Sequence, residues 1–202
     1  MPTFTTNQAE LDAARVAKSQ RHRLGDILER GYVFSTTHQT PTTNVTGQTA
    51  FDATTPTFAF YGTNLDFRGV LKRFYLAQTG TVAGGQITIA VAIDTANRNS
   101  SGGTAVTPQN MNANRSAASA WTMKYNVTAT AAGGGTRYID TIPVDADLGT
   151  VSTFDYTDNQ WGGLIWAAAG TTLGKHTGSL LIYTFAATTG PTWKFGFEHH
   201  ED

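Results

Sequence analysis

Residues Trp121–Thr130 read WTMKYNVTAT. The larger or less polar side chains fall on Trp121, Met123, Tyr125, Val127 and Ala129. Polar ones fall on Thr122, Lys124, Asn126, Thr128 and Thr130. A period of two is the signature of a strand, because successive side chains leave a pleated backbone on opposite sides. The segment is expected as a half-buried strand with its polar face outward. The rule repeats outward from there. In Gln86–Ile93, Ile87, Ile89, Val91 and Ile93 oppose Thr88, Ala90 and Ala92; in Thr192–Glu198, Trp193, Phe195 and Phe197 oppose Lys194, Gly196 and Glu198. Residues 57–61 alternate Phe58 and Phe60 with Ala59 and Tyr61, and Val70–Leu76 is β-rich but mixed. Arg137–Ile142, Val151–Tyr156, Gly163–Ala168 and Ser179–Phe185 complete the candidate strands.

Glycine and proline punctuate the gaps, at Gly84–Gly85, Gly102–Gly103, Gly133–Gly135, Gly170, Gly174 and Gly190–Pro191. Roughly eight or nine short strands with such turns predict an all-β protein, an antiparallel β-sandwich of jelly-roll-like type. Residues 1–31 are different. Asn7 followed by Glu10 forms a capping pair, and apolar residues recur at roughly helical spacing up to Gly31, a natural stop. The expected organisation is an N-terminal helical arm over 1–31, an extended Thr-rich connector over 32–57, and the β-sandwich over 58–202. A short strand is expected near Tyr32–Ser35.

Composition narrows the function. The 202 residues carry 14 basic and 15 acidic side chains and a net charge of -1, which gives no electrostatic reason to expect nucleic acid or an anionic membrane. Cysteine is absent, which excludes disulfides and thiolate chemistry. The N-terminal stretch has no apolar core of the secretory type, and no run approaches the ~18 apolar residues of a spanning helix. Synthesis in a reducing cytoplasm is expected, and the sequons at Asn44, Asn99, Asn114 and Asn126 are read as accidents of composition.

The usual catalytic signatures are missing: no G-x-S-x-G, no phosphate loop, no G-x-G-x-x-G. Of the 5 histidines, His22 and His38 precede the β body, His199 and His200 are expected on an exposed terminus, and His176 sits in an LGKHTG turn. His176 is the one candidate for a triad assembled in space. The FEHHED tail holds potential metal ligands, but neighbours on an extended chain diverge, so no metal or other cofactor is expected. Asp145 and Asp147, with Asp155 and Asp158, fall short of a calcium-loop pattern and read as turn carboxylates. Trp161, Trp166 and Tyr156 form a candidate sugar-stacking platform.

Several phrases occur in order: TNVTGQTAFDATTPTFAFYGTN, LAQTGTVAGGQITIAVAID, SSGGTAVTPQNMN and SLLIYTFAATTGPTWKFGFE. Together they resemble the head decoration, or capsid cement, proteins of tailed bacteriophages, over roughly Thr43–Glu198. The resemblance implies a non-enzymatic virion protein that binds the outer capsid surface, with the major capsid protein as its partner, commonly as a homotrimer. The arm lies outside the resemblance. Its composition assigns docking to Leu11, Val16, Leu24, Ile27 and Leu28, with Arg15, Lys18, Arg21 and Arg23 meeting acidic groups. Trp161, Trp166, Trp193, Phe195 and Phe197 are candidates for a subunit interface. The alternative function is a receptor-binding or fibre-associated module that binds glycans.

One stretch resists the pattern. Asp94–Ala117, DTANRNSSGGTAVTPQNMNANRSA, has few large apolar side chains and reads as a long polar loop. Its Asn97–Ala117 part is expected either to be ordered by contacts beyond its own subunit or to run across the sandwich surface.

Overall fold

The period-two segments pair into two antiparallel sheets in the computed structural model, which describes residues 32–80, 82, 86–130, 135–145, 151–157, 163–170 and 172–202. In chain order the strands are β1 Val33–Thr37, β2 Val45–Thr46, β3 Phe58–Leu65, β4 Gly69–Gln78, β5 Gln86–Asp94, β6 Asn99–Val106 and β7 Gln109–Asn110. They continue with β8 Thr122–Ala129, β9 Arg137–Asp145, β10 Val151–Asp155, β11 Leu164–Ile165, β12 Ala167–Ala169, β13 His176–Ala186 and β14 Thr192–Glu201. Sheet A runs β10-β4-β14-β1-β7, with β11 on β4 and β2 on β14; sheet B runs β6-β8-β3-β13-β5-β9, with β12 on β13. The expected arm, with its docking residues, lies outside the described residues. Among those described, no helix is long and apolar enough to cross a membrane.

The core fills the space between the sheets with the residues the alternation pointed inward. Phe58 and Phe60 of β3 meet Phe195 and Phe197 of β14, with ring centroids 4.9–5.4 Å apart. Phe74 stacks on Phe154 at 4.3 Å. Such pairs contribute about 0.5–1.5 kcal/mol each beyond the area they bury. A polar tie also crosses this core: Trp193 Nε1 of sheet A donates to Thr184 Oγ1 of sheet B at 2.9 Å, and Thr57 Oγ1 lies 3.0 Å from the same hydroxyl.

The structure departs from the expectations in three places. First, residues 32–57 belong to the sandwich. β1 lies between β14 and β7, pairing Val33 with His200 and Phe34 with Asn110. The stretch leading into β3 crosses the outer face of sheet B, where Phe51 packs on Tyr183 at 5.2 Å and Tyr183 Oη donates to Ala53 O at 3.1 Å.

Second, Asp94–Ala117 is no long loop. It contains β6, the edge strand beside β8, and β7, which pairs with β1 on the opposite sheet. The stretch thus wraps around an edge of the sandwich, ordered within its own chain. A mostly exposed edge strand needs backbone partners rather than apolar side chains, so hydrophobic periodicity could not reveal it.

Third, the alternation of 121–130 breaks at Asn126. Asn126 has φ 52°, between the pairs Gly102↔Val127 and Thr104↔Tyr125, and Gly102 and Gly103 are left-handed as well, at 62° and 73°. Gly103 is doubly constrained, since a Cβ there would lie 2.9 Å from Tyr125 O. Val127 consequently joins the cluster of Ala59, Leu181 and Tyr183 on the outer face of sheet B, while Met123 stays in the central core.

The Trp193–Thr184–Thr57 tie makes a direct prediction. Thr184→Val keeps the shape but leaves the buried indole N–H of Trp193 without its acceptor, while Thr57 Oγ1 still accepts from the Thr184 backbone N–H at 3.0 Å. Thermal or urea unfolding should show a loss of about 1–3 kcal/mol.

Candidate functional site

The C-terminal tail is interior. His199 is 0% and Glu201 1% exposed, contrary to the expected exposed terminus. The reason is the strand itself: β14 carries its period of two through Trp193, Phe195, Phe197, His199 and Glu201, and all of these are buried. The Glu201 carboxylate accepts hydrogen bonds from Ser119 Oγ at 2.5 Å, from Ala120 N at 3.0 Å and from Trp121 N at 3.4 Å. Next to it Asp202 pairs with Arg68 through both carboxylate oxygens, at 3.1 and 2.9 Å. The His199 ring packs on Phe34, Phe60 and Trp166 at 5.2–5.9 Å, and its Nδ1 has no hydrogen-bond partner among the described residues.

Ser119, His199 and Glu201 are the residue types of a hydrolase triad, but the geometry does not form a relay. Ser119 Oγ at 3.4 Å and Glu201 Oε1 at 3.6 Å both lie on His199 Nε2. A relay requires the carboxylate on the ring nitrogen opposite the hydroxyl. Here Ser119 donates directly to the carboxylate, and the imidazole is sealed from solvent. The cluster ties the end of sheet A to the segment entering β8. His176, the triad candidate from the sequence, begins β13 opposite Leu65, away from this cluster.

A second buried carboxylate does comparable work. Asp94, at the end of β5, accepts from Ala96 N at 2.8 Å and from Thr136 Oγ1, and pairs with Arg98 Nε at 2.8 Å. Asp94 and Glu201 therefore hold the two flanks of the polar stretch, residues 96–98 on one side and 119–121 on the other. Burial opposes ionisation of both carboxyls. Hydrogen bonds from Thr136 and Ala96 with the Arg98 ion pair at Asp94, and the His199 contact with hydrogen bonds from Ser119 and Ala120 at Glu201, outweigh it and hold both below the usual carboxylate range.

The other candidates fall as follows. Trp166, Trp193, Phe195 and Phe197, expected at a subunit interface, lie in the core of the single chain and have almost no surface to offer a neighbour. Trp166 sits where the chain passes from β11 on sheet A to β12 on sheet B, edge-on to Trp121 at 5.3 Å. Trp161, Asp147 and Asp158 lie outside the described residues. Burial removes Trp166 from the sugar platform; Tyr156 donates to Asp140 at 2.7 Å, and burial raises its phenol well above the ordinary value. Asp155 caps a turn, accepting from Thr157 N at 2.8 Å. No group of 3 or more His, Cys, Asp or Glu among the described residues could hold a metal ion.

What remains open is surface. A groove of about 490 Å³ crosses the outer face of sheet A from β10 to the residue after β7. Tyr75 lies across its floor against the backbone of Gly196, where a Cβ would come within 2.2 Å of the ring. Met111 and Val151 flank it, and the Arg73–Glu198 ion pair, at 2.7 Å, adds one charge of each sign. In comparisons with known proteins, no family model, no curated relative and no solved structure matches this chain.

The buried carboxylates give a pH prediction. A folded-state pKa below the unfolded value contributes stability that is complete above the unfolded pKa and is lost as pH falls through the folded one. The protein should lose stability as pH drops below the ordinary carboxyl value of 4.5. Glu201→Gln should cost about 1–3 kcal/mol at neutral pH and flatten the acid limb of a plot of melting temperature against pH.

Proposed function

We propose that this protein is a virion structural protein that binds the outer surface of a phage capsid and stabilises the head, with the major capsid protein as its partner. The observation that carries the reading is at one end of the sandwich. Tyr32, into which residues 1–31 lead, packs on Phe67 at 5.0 Å. The adjoining hairpin before β13, tied through Lys175 to Asp66, presents Leu173 wholly to solvent. Tyr32, which the arm joins, and the exposed Leu173 thus share one end of the sandwich. The phrase-level resemblance of Thr43–Glu198 to capsid decoration proteins points the same way. So does the low charge, which favours apolar and hydrogen-bonded contacts over electrostatic ones.

The finer reading of the fold is a jelly roll, supported by the repeated passage of the chain between sheets, as from β6 to β7 to β8. The arm is helical in this reading, and the protein acts as a homotrimer. Three linked arms would raise the local concentration of each contact at the capsid, so individually modest contacts hold as a set. An alternative, a glycan-binding virion module, is favoured by one feature: Phe51 and Tyr138 are both partly exposed and stand 5.9 Å apart on the outer face of sheet B. There, rather than at Trp166, a sugar would stack.

Deleting residues 1–31 should leave the β domain folded by circular dichroism and abolish occupancy on heads. Undiminished occupancy sinks the arm's role. Light scattering should return a mass near three times 21.6 kDa. A monomeric mass, together with glycan binding that Phe51→Ala or Tyr138→Ala removes, favours the alternative.

A further inference from the structure

The two outer faces of the sandwich are finished differently. Sheet B is covered by the stretch that leads into β3, with Phe51 lying on Tyr183 and Phe185 at 5.2 and 5.6 Å. Sheet A has no comparable cover among the described residues. Along its groove Tyr75, Met111 and Val151 remain 43%, 49% and 58% exposed. Removing such apolar surface from water is favourable, so a segment able to lie there gains by doing so.

The chain supplies one at the right place. Phe34 and Thr36 of β1 are buried inward, which turns Val33, Ser35 and Thr37 toward the outer face, and Ser35 and Thr37 line the groove. At a rise of ~3.3 Å per residue, Ser35 is about 7 Å from Val33. Immediately before this strand come Leu24, Ile27 and Leu28, whose spacing puts all three on one face of a helix. Leu28 can be no farther than about 14 Å from Tyr32 even on an extended chain. Gly31 between them permits the reversal such a path needs.

We infer that Leu24, Ile27 and Leu28 dock in the groove of their own chain, over Tyr75, Met111 and Val151. The inference rests on the reading of residues 1–31 as a functional arm and divides that arm in two. The part nearest the sandwich is an anchor, and Leu11, Arg15, Val16, Lys18, Arg21 and Arg23 are projected toward the partner. The short tether favours the chain's own segment over that of a second copy, because its effective concentration is in the millimolar range.

The absence of cysteine makes the test clean. Full-length Ile27→Cys/Met111→Cys and Leu28→Cys/Val151→Cys proteins, oxidised at low concentration, should form an intrachain disulfide, located by peptide mass mapping. An Ile27→Cys/Tyr138→Cys control, which pairs the arm with an exposed site on the outer face of sheet B, should yield about ten-fold less. Groove yields no higher than the control in both pairs overturn the inference, and so do links between chains, which would make the occupant a neighbouring copy. If the groove pairs fail while deletion of residues 1–31 still abolishes capsid binding, this inference falls and the functional reading stands.

Discussion

Each inward side chain of β14 meets a partner from the opposite side of the sandwich. Trp193 reaches Thr184, Phe195 meets Phe58, Phe197 packs between Phe58 and Phe60, His199 lies against Phe60, and Glu201 takes the backbone leading into β8. The strand pairs with β4 on one side and β1 on the other, so it is central both within sheet A and across the core. The partners change along its length from a hydrogen bond through aromatic contacts to a charge-assisted clamp. Apolar burial brings the sheets together without selecting one register, since it is non-directional; the polar contacts at the two ends of β14 are directional and select it.

The same logic explains how a stretch with almost no apolar anchors becomes ordered. Asp94–Ala117 contributes Val106 to the core and little else. Its position follows from its flanks, where Asp94 and Glu201 each gather backbone and hydroxyl donors out of solvent. A buried carboxylate carries a high desolvation cost and persists only when several donors converge on it. Convergence at both ends fixes where the segment leaves sheet B and where it returns. Between them the backbone pairs with β8 and then β1.

The conspicuous polar groups are sealed into the interior, and the exposed apolar side chains lie elsewhere: Phe51 in the β2–β3 connector over sheet B, Tyr75, Met111 and Val151 along the groove of sheet A, and Leu173 at one end. The mixed-sign charge of the groove, Arg73 beside Glu198, favours an occupant held by shape and apolar contact over one held by charge.

The all-β class, the inward rows of β3, β5 and β14, and most strand positions were legible in the sequence, because alternation against a core leaves a period-two imprint. His199 and Glu201 were legible too, had the alternation from Trp193 been followed to its end; their polar character hid them. Other features carry no such imprint. The edge strand β6 is held mainly by backbone pairing, with Val106 at its end the one side chain that enters the core. The parity change at Asn126 depends on a left-handed residue facing left-handed glycines. The meeting of Ser119 with Glu201 joins residues far apart in the chain. The periodicity of the sequence by itself determined which side chains enter a core, since that follows from local geometry and hydrophobicity. Only the tertiary structure decided which buried carboxylate meets which backbone, and which outer face stays open, because those depend on where strands distant in the chain come to lie.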